Sequence, residues 1–236
     1  MTICIAAMAE KGKKIVIAVD RMITANFPIP TEFETDDVPK IYKLADSTLA
    51  MSAGSALNAY EVIGKAKSLV AAQQITKVEQ IAETIRKSYQ DYRRQLVIER
   101  FLEPRGLTLE AYYNMQQRLT PNVVQEVENQ LTGFSLGVDL IVAGCKEGDD
   151  CHIFTVTHPG ILLSHDSLGH VSIGSGAPHV TYFFIGSRYK KSLSVKQVEE
   201  IVREAKKKSE VAPGVGKQTE VLVIPEEGNL VPPQQI

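Results

Sequence analysis

Residues 2–20, TICIAAMAEKGKKIVIAVD, decide the fold. Residues 2–8 form an apolar run and residues 14–19 a second one rich in Ile and Val. The polar, Gly-containing piece AEKGK at 9–13 separates them, so the stretch reads as two strands of an antiparallel hairpin. Outward from it, a polar, Pro-containing segment runs from Asn26 to Pro39. Ile41–Leu44 and Thr48–Ser52 then read as another strand pair, turning at Ala45-Asp46-Ser47. Ser55–Ala72 carries an apolar stripe at helical spacing. A second helix is expected from Thr76, with Thr76-x-x-Glu79 as a capping box, to about Leu96. Pro104-Arg105-Gly106 breaks the chain, and Thr108 and Thr120-Pro121 mark two further helix starts. Beyond Gly133 strands return at Val138–Cys145, Cys151–Thr157, Ile161–Ser164 and Val171–Ile173, with a turn over Glu147–Asp150. Helices over Ala177–Ser187 and Val195–Lys208 and a last strand at Thr219–Ile224 follow. Paired helices between antiparallel strand runs argue against a doubly wound sheet. The expectation is an α+β fold of four layers, two antiparallel sheets with helices on both outer faces. No internal repeat or linker divides residues 1–225, and residues 226–236 read as a loose tail.

Composition bounds the function. The chain has 236 residues, 44% apolar and 23% charged, which is ordinary for a globular protein. With 26 Lys and Arg against 28 Asp and Glu, the balance does not favour a nucleic-acid binder. Cys4, Cys145 and Cys151 lack metal-ligand spacing, and their odd number does not read as a disulfide framework. No apolar run approaches the roughly 20 residues that span a bilayer, and no basic signal region opens the chain. A cytoplasmic protein without membrane or nucleic-acid partners is expected.

Gly-rich segments do not carry phosphate chemistry. In Pro213-Gly-Val-Gly-Lys217, Val211 stands where a P-loop needs Gly, and Gln218 replaces Ser or Thr. Gly174-Ser175-Gly176 lacks the third Gly of a dinucleotide fingerprint. The five histidines form no ligand motif, so neither metal nor cofactor is expected. Lys206-Lys207-Lys208 reads as cations suited to a helix C-terminus.

Thr2 stands apart. Once Met1 is removed, its hydroxyl and free α-amine lie on adjacent atoms, and the amine can act as general base for the hydroxyl. An α-amine with a reference pKa of about 7.7–8.0 is readily neutral at working pH. The hairpin returns Asp20 towards Thr2, Lys40 opens the next strand, and Gly54 lies at a strand-to-helix junction suited to an oxyanion donor.

These residues together resemble the proteasome β-type family of N-terminal nucleophile hydrolases. The resemblance rests on the Thr-led strand, the strand ending in Asp20, Lys40 placed 14 residues before Gly54 in Met51-Ser-Ala-Gly54, Val138-Asp-Leu-Ile-Val-Ala-Gly144, and Pro159-Gly160 followed by Ile173-Gly-Ser-Gly176. It implies a threonine peptidase on an αββα sandwich. Thr2 would be the nucleophile, Asp20 and Lys40 a charged pair beside it, and the Gly54 N–H the oxyanion donor. Ser175 would hydrogen-bond near the Thr2 amine. Thr24 would bind peptide main chain, and Ser52, Ala56 and Val38 would line the side-chain pocket. The resemblance further implies a ring-like homo-oligomer, a polypeptide substrate and an unfolding ATPase acting in trans. The chain departs from the family in a helical insertion at about 95–133. It also lacks the late Asp-x-x-Ser-Gly-Gly segment, where Ser209–Gly216 stands and Glu210 is the nearest acid. Only Met1 precedes Thr2, so no propeptide cleavage is expected. A non-catalytic structural subunit and an N-terminal-Thr amidase or transpeptidase remain as alternatives.

Overall fold

Strands buried on both faces need apolar residues at every position, and the Ile- and Val-rich runs near the start of the chain supply them. In a computed structural model, which describes residues 2–26, 30–35, 37–146 and 150–225, these runs are β1 (Cys4–Ala9) and β2 (Lys14–Asp20). They pair antiparallel with Cys4 opposite Val19. A 3-10 turn at Glu10–Gly12 joins them. Two later strands, β10 (His170–Ile173) and β11 (Thr219–Ile224), flank them in the order β10-β1-β2-β11. A second antiparallel sheet has the order β5-β6-β7-β8-β9. Its strands are β5 (Ile41–Ala45), β6 (Thr48–Gly54), β7 (Val138–Gly144), β8 (His152–Thr157) and β9 (Ile161–Ser164).

Six α-helices complete the described residues: α1 (Ala56–Ala72), α2 (Val78–Val97), α3 (Leu109–Met115), α4 (Pro121–Gly133), α5 (Ala177–Gly186) and α6 (Val195–Ser209). The fold is mixed α+β. Three apolar clusters follow from strand alternation, because successive side chains point to opposite faces. Cys4, Ala6 and Met8 of β1 meet Leu49, Met51 and Ile141 of the second sheet. Ile3, Ile5 and Ala7 face Val180 and Phe184 of α5 and Val198 and Val202 of α6. Ala50, Leu140 and Val142, the opposite face of the second sheet, pack on Val62, Ile81, Ile85 and Tyr89 of α1 and α2. Each fully buried Ile, Val or Leu contributes about 1.5–3 kcal/mol. Residues 97–131 add a small cluster of their own, built from Val97, Leu102, Tyr112, Val127 and Leu131.

Several expectations need correction. The polar segment from Asn26 to Pro39 contains half of a two-stranded ribbon, β3 (Met22–Asn26) with β4 (Pro30–Glu34). The cap of α2 is Lys77 in extended geometry, with no side-chain bond, so Thr76 and Glu79 make no capping box. Cys145 and Cys151 are disulfide-bonded, although three cysteines do not read as a disulfide framework, because the β7–β8 hairpin brings its two ends together. Ser55, Thr108 and Ser194 each cap a helix, the side chain accepting a helix N–H. Met1, the 147–149 part of the Glu147–Asp150 turn and the tail 226–236 lie outside the described residues.

Candidate active site

The site forms where the ends of both sheets meet. Thr2 precedes β1 and is only 2% exposed. Asp20 closes β2, and hairpin pairing sets it beside Ile3: the Asp20 N–H donates to the Ile3 carbonyl at 3.2 Å. Lys40 leads into β5 of the other sheet. Its carbonyl accepts from the Ser52 N–H at 3.1 Å, so the β5–β6 pairing fixes its position.

From these three directions the side chains converge. The Thr2 hydroxyl donates to Asp20 Oδ1 and accepts from the Lys40 ammonium. Lys40 Nζ lies 2.6 Å from the same Asp20 oxygen, with both side chains nearly withdrawn from water. The second carboxylate oxygen, Oδ2, accepts from the Gly216 N–H at 2.7 Å, and the Ile3 N–H reaches Oδ1 at 3.2 Å. A buried carboxylate is tolerable only when paired and hydrogen-bonded, and Asp20 has both a cation and three other donors.

Beside Thr2 lies a cavity of about 20 Å³, bordered by Lys40, Ser52, Gly54, Ala56 and Val38. That is room for one water molecule. A second cavity, about 270 Å³, shares Val38 and Lys40 with the first and runs along Arg21 and Glu220. Gly54 ends β6 with φ +100°, and a Cβ there would stand 2.1 Å from the Gly137 carbonyl oxygen. Only glycine suits that turn. The next N–H, that of Ser55, is bound to the same carbonyl at 2.8 Å.

Thr2, Asp20, Lys40, Gly54, Ser52, Ala56 and Val38 are thus gathered at one place. Ser175 is held differently: its hydroxyl donates to the Pro213 carbonyl at 3.0 Å. Its neighbour Gly174 packs on Thr2, where a Cβ would stand 2.1 Å from the Thr2 carbonyl oxygen. Thr24 lies on β3 opposite Glu32, and its side chain is outside the described residues. Glu210 pairs with Lys206 at 2.7 Å and takes no place beside Thr2.

Three participants are absent from the sequence reading. Gly216 supplies a donor to Asp20 from the end of the segment Ser209–Gly216. Lys206, taken as a surface cation at a helix end, is 1% exposed. Its place on the stripe of Val198, Val202 and Ser209, four residues after Val202, was the available signal. Cys4 is the third. Its thiol donates to the Ser52 carbonyl at 3.3 Å, and burial pushes it up to about 12, so it stays protonated and unreactive.

Among the described residues, no group of three or more His, Cys, Asp or Glu is arranged to hold a metal ion. Nor is any described helix long and apolar enough to cross a membrane. Comparison with known protein families finds no match, and no curated protein matches the sequence.

Proposed function

We propose that the chain is a threonine-type peptidase of the N-terminal nucleophile class, resembling proteasome β subunits. The three apolar clusters are then the interfaces of a four-layer αββα sandwich. One observation carries the reading: a buried Thr2 hydroxyl held between the Asp20 carboxylate and the Lys40 ammonium.

The chemistry starts when Met1 is removed and Thr2 gains a free amine. The amine takes the Thr2 hydroxyl proton as Oγ bonds to the substrate carbonyl carbon. The Gly54 N–H stabilises the resulting oxyanion. The amine then returns the proton to the leaving nitrogen, the C–N bond breaks, and an ester to Thr2 remains. Water, deprotonated by the same amine, attacks that ester and releases the carboxylic acid and the Thr2 hydroxyl. The Lys40 ammonium beside Oγ favours negative charge on that oxygen during attack. No cofactor enters this cycle. A ring-like homo-oligomer in the cytoplasm, fed with polypeptide by an unfolding ATPase, is the setting that the resemblance supplies.

The test is covalent labelling with a peptide vinyl sulfone, followed by peptide mapping. One adduct is expected on Thr2 in the wild type and none in Thr2→Ala. Labelling that persists in Thr2→Ala would remove Thr2 as the nucleophile. A folded, ring-forming chain that never labels would point instead to the scaffold role.

A further inference from the structure

We infer that Lys206 is a positioning residue for Asp20, acting through the Gly216 peptide; the inference rests on the reading of Thr2 as nucleophile. Asp20 divides its work between two oxygens. Oδ1 receives Thr2, Lys40 and the Ile3 N–H, whereas Oδ2 is held by the Gly216 N–H. The direction in which Oδ1 faces Thr2 therefore depends on where Gly216 stands.

Lys206 sets that place. Its ammonium has three protons and three acceptors: the Gly216 carbonyl at 2.7 Å, the Lys217 carbonyl at 2.8 Å and Glu210 Oε1 at 2.7 Å. Gly216 thus gives its N–H to Asp20 and its carbonyl to Lys206. From the other side, Glu34 Oε1 accepts from the Gln218 N–H at 3.0 Å, and a Cβ on Gly216 would stand 2.4 Å from that same oxygen. The loop is held at close quarters between α6 and β4. A buried ammonium costs several kcal/mol to desolvate, and an apolar side chain would fill the core position more cheaply. The directional bonds to the Gly216 loop are what lysine adds there.

The experiment measures labelling kinetics of the full chain with a peptide vinyl sulfone, using Lys206→Met and Lys207→Met. Lys207 is exposed, so its variant removes the same charge without touching the loop. Lys206→Met is expected to lower the limiting labelling rate per site about tenfold, the scale of supporting-shell losses. The half-saturating reagent concentration and the final fraction labelled should stay within about twofold, a modest change set against that tenfold loss. Lys207→Met should behave as wild type. A purely structural role would instead lower the labelled fraction and the melting temperature while each surviving site reacts at the wild-type rate, and that result overturns the inference. Should Lys206→Met fail to fold, Lys206→Gln, which keeps one amide donor group, carries the same comparison. An unchanged rate per site in a folded Lys206 variant removes the inference and leaves Thr2 as nucleophile. Labelling in Thr2→Ala removes both.

Discussion

At the scale of single residues, the Asp20–Lys40 pair makes a sharp prediction. Lys40 is the cation beside a carboxylate with 0% exposure. Lys40→Met leaves that charge buried without its partner, which costs about 3–5 kcal/mol. Denaturant unfolding should register this loss, and vinyl sulfone labelling of Thr2 should slow by about a hundredfold or more. The double variant Asp20→Asn/Lys40→Met should recover much of the stability and none of the labelling. Equal destabilisation in single and double variants would show that the two side chains do not act as a pair. Thr2 and Asp20 were legible because a hairpin must bring their strand ends together, whereas Lys40 and Gly54, which belong to the other sheet, were set beside them by the resemblance. Lys206 was not, because a basic residue in a helix's last turn has a sufficient reason to be at the surface. Gly216 was not, because a backbone N–H leaves no mark in the sequence.

Among the secondary-structure elements, the β6–α1 junction is tightly constrained. Gly54 has φ +100°, and the Gly137 carbonyl fills the space a side chain would need. Gly54→Ala should cost about 2 kcal/mol or more from backbone strain alone and should abolish Thr2 labelling. A stable, fully labelled Gly54→Ala protein would show that this turn plays no part in the chemistry. The elements differ in how openly the sequence declares them. β1 and β2 are read from apolar runs, and β6 and β7 from runs interrupted only by Thr48, Ser52 and Asp139, because both faces of these strands are largely buried. The β3–β4 ribbon hides, since Thr31, Glu32 and Phe33 face solvent and Pro28, Pro30 and Pro39 resemble loop punctuation. α2 starts without a side-chain cap, so a Thr-x-x-Glu pattern one residue early misplaced its mechanism though not its course.

For the molecule as a whole, two half-buried histidines make stability depend on pH. His170 stacks on Phe184, with ring centroids 4.3 Å apart, and burial lowers its pKa. Burial does the same to His165, which lies 2.9 Å from the Thr155 hydroxyl. In both cases the unfolded chain binds protons more readily than the folded one. Stability is therefore full above the unfolded histidine pKa, about 6.5, and declines as pH falls below it. Melting temperatures should drop from pH 7 to pH 5, and His170→Leu should flatten part of that slope. A melting temperature that rises on acidification would contradict the burial of both rings. The order of sheets and helices was readable from the sequence at this scale, because hairpins and helix pairs are local. The Cys145–Cys151 bond was not, because a count of three cysteines says nothing about which two a hairpin will oppose.

On the proposed reading, Thr2 bears both nucleophile and base. Mass spectrometric mapping of the N-terminal peptide, taken from natively expressed protein after vinyl sulfone treatment, addresses it most directly. The predicted result is a peptide that begins at Thr2 and carries a single adduct there. A peptide that begins at Met1 and carries no adduct would contradict the claim.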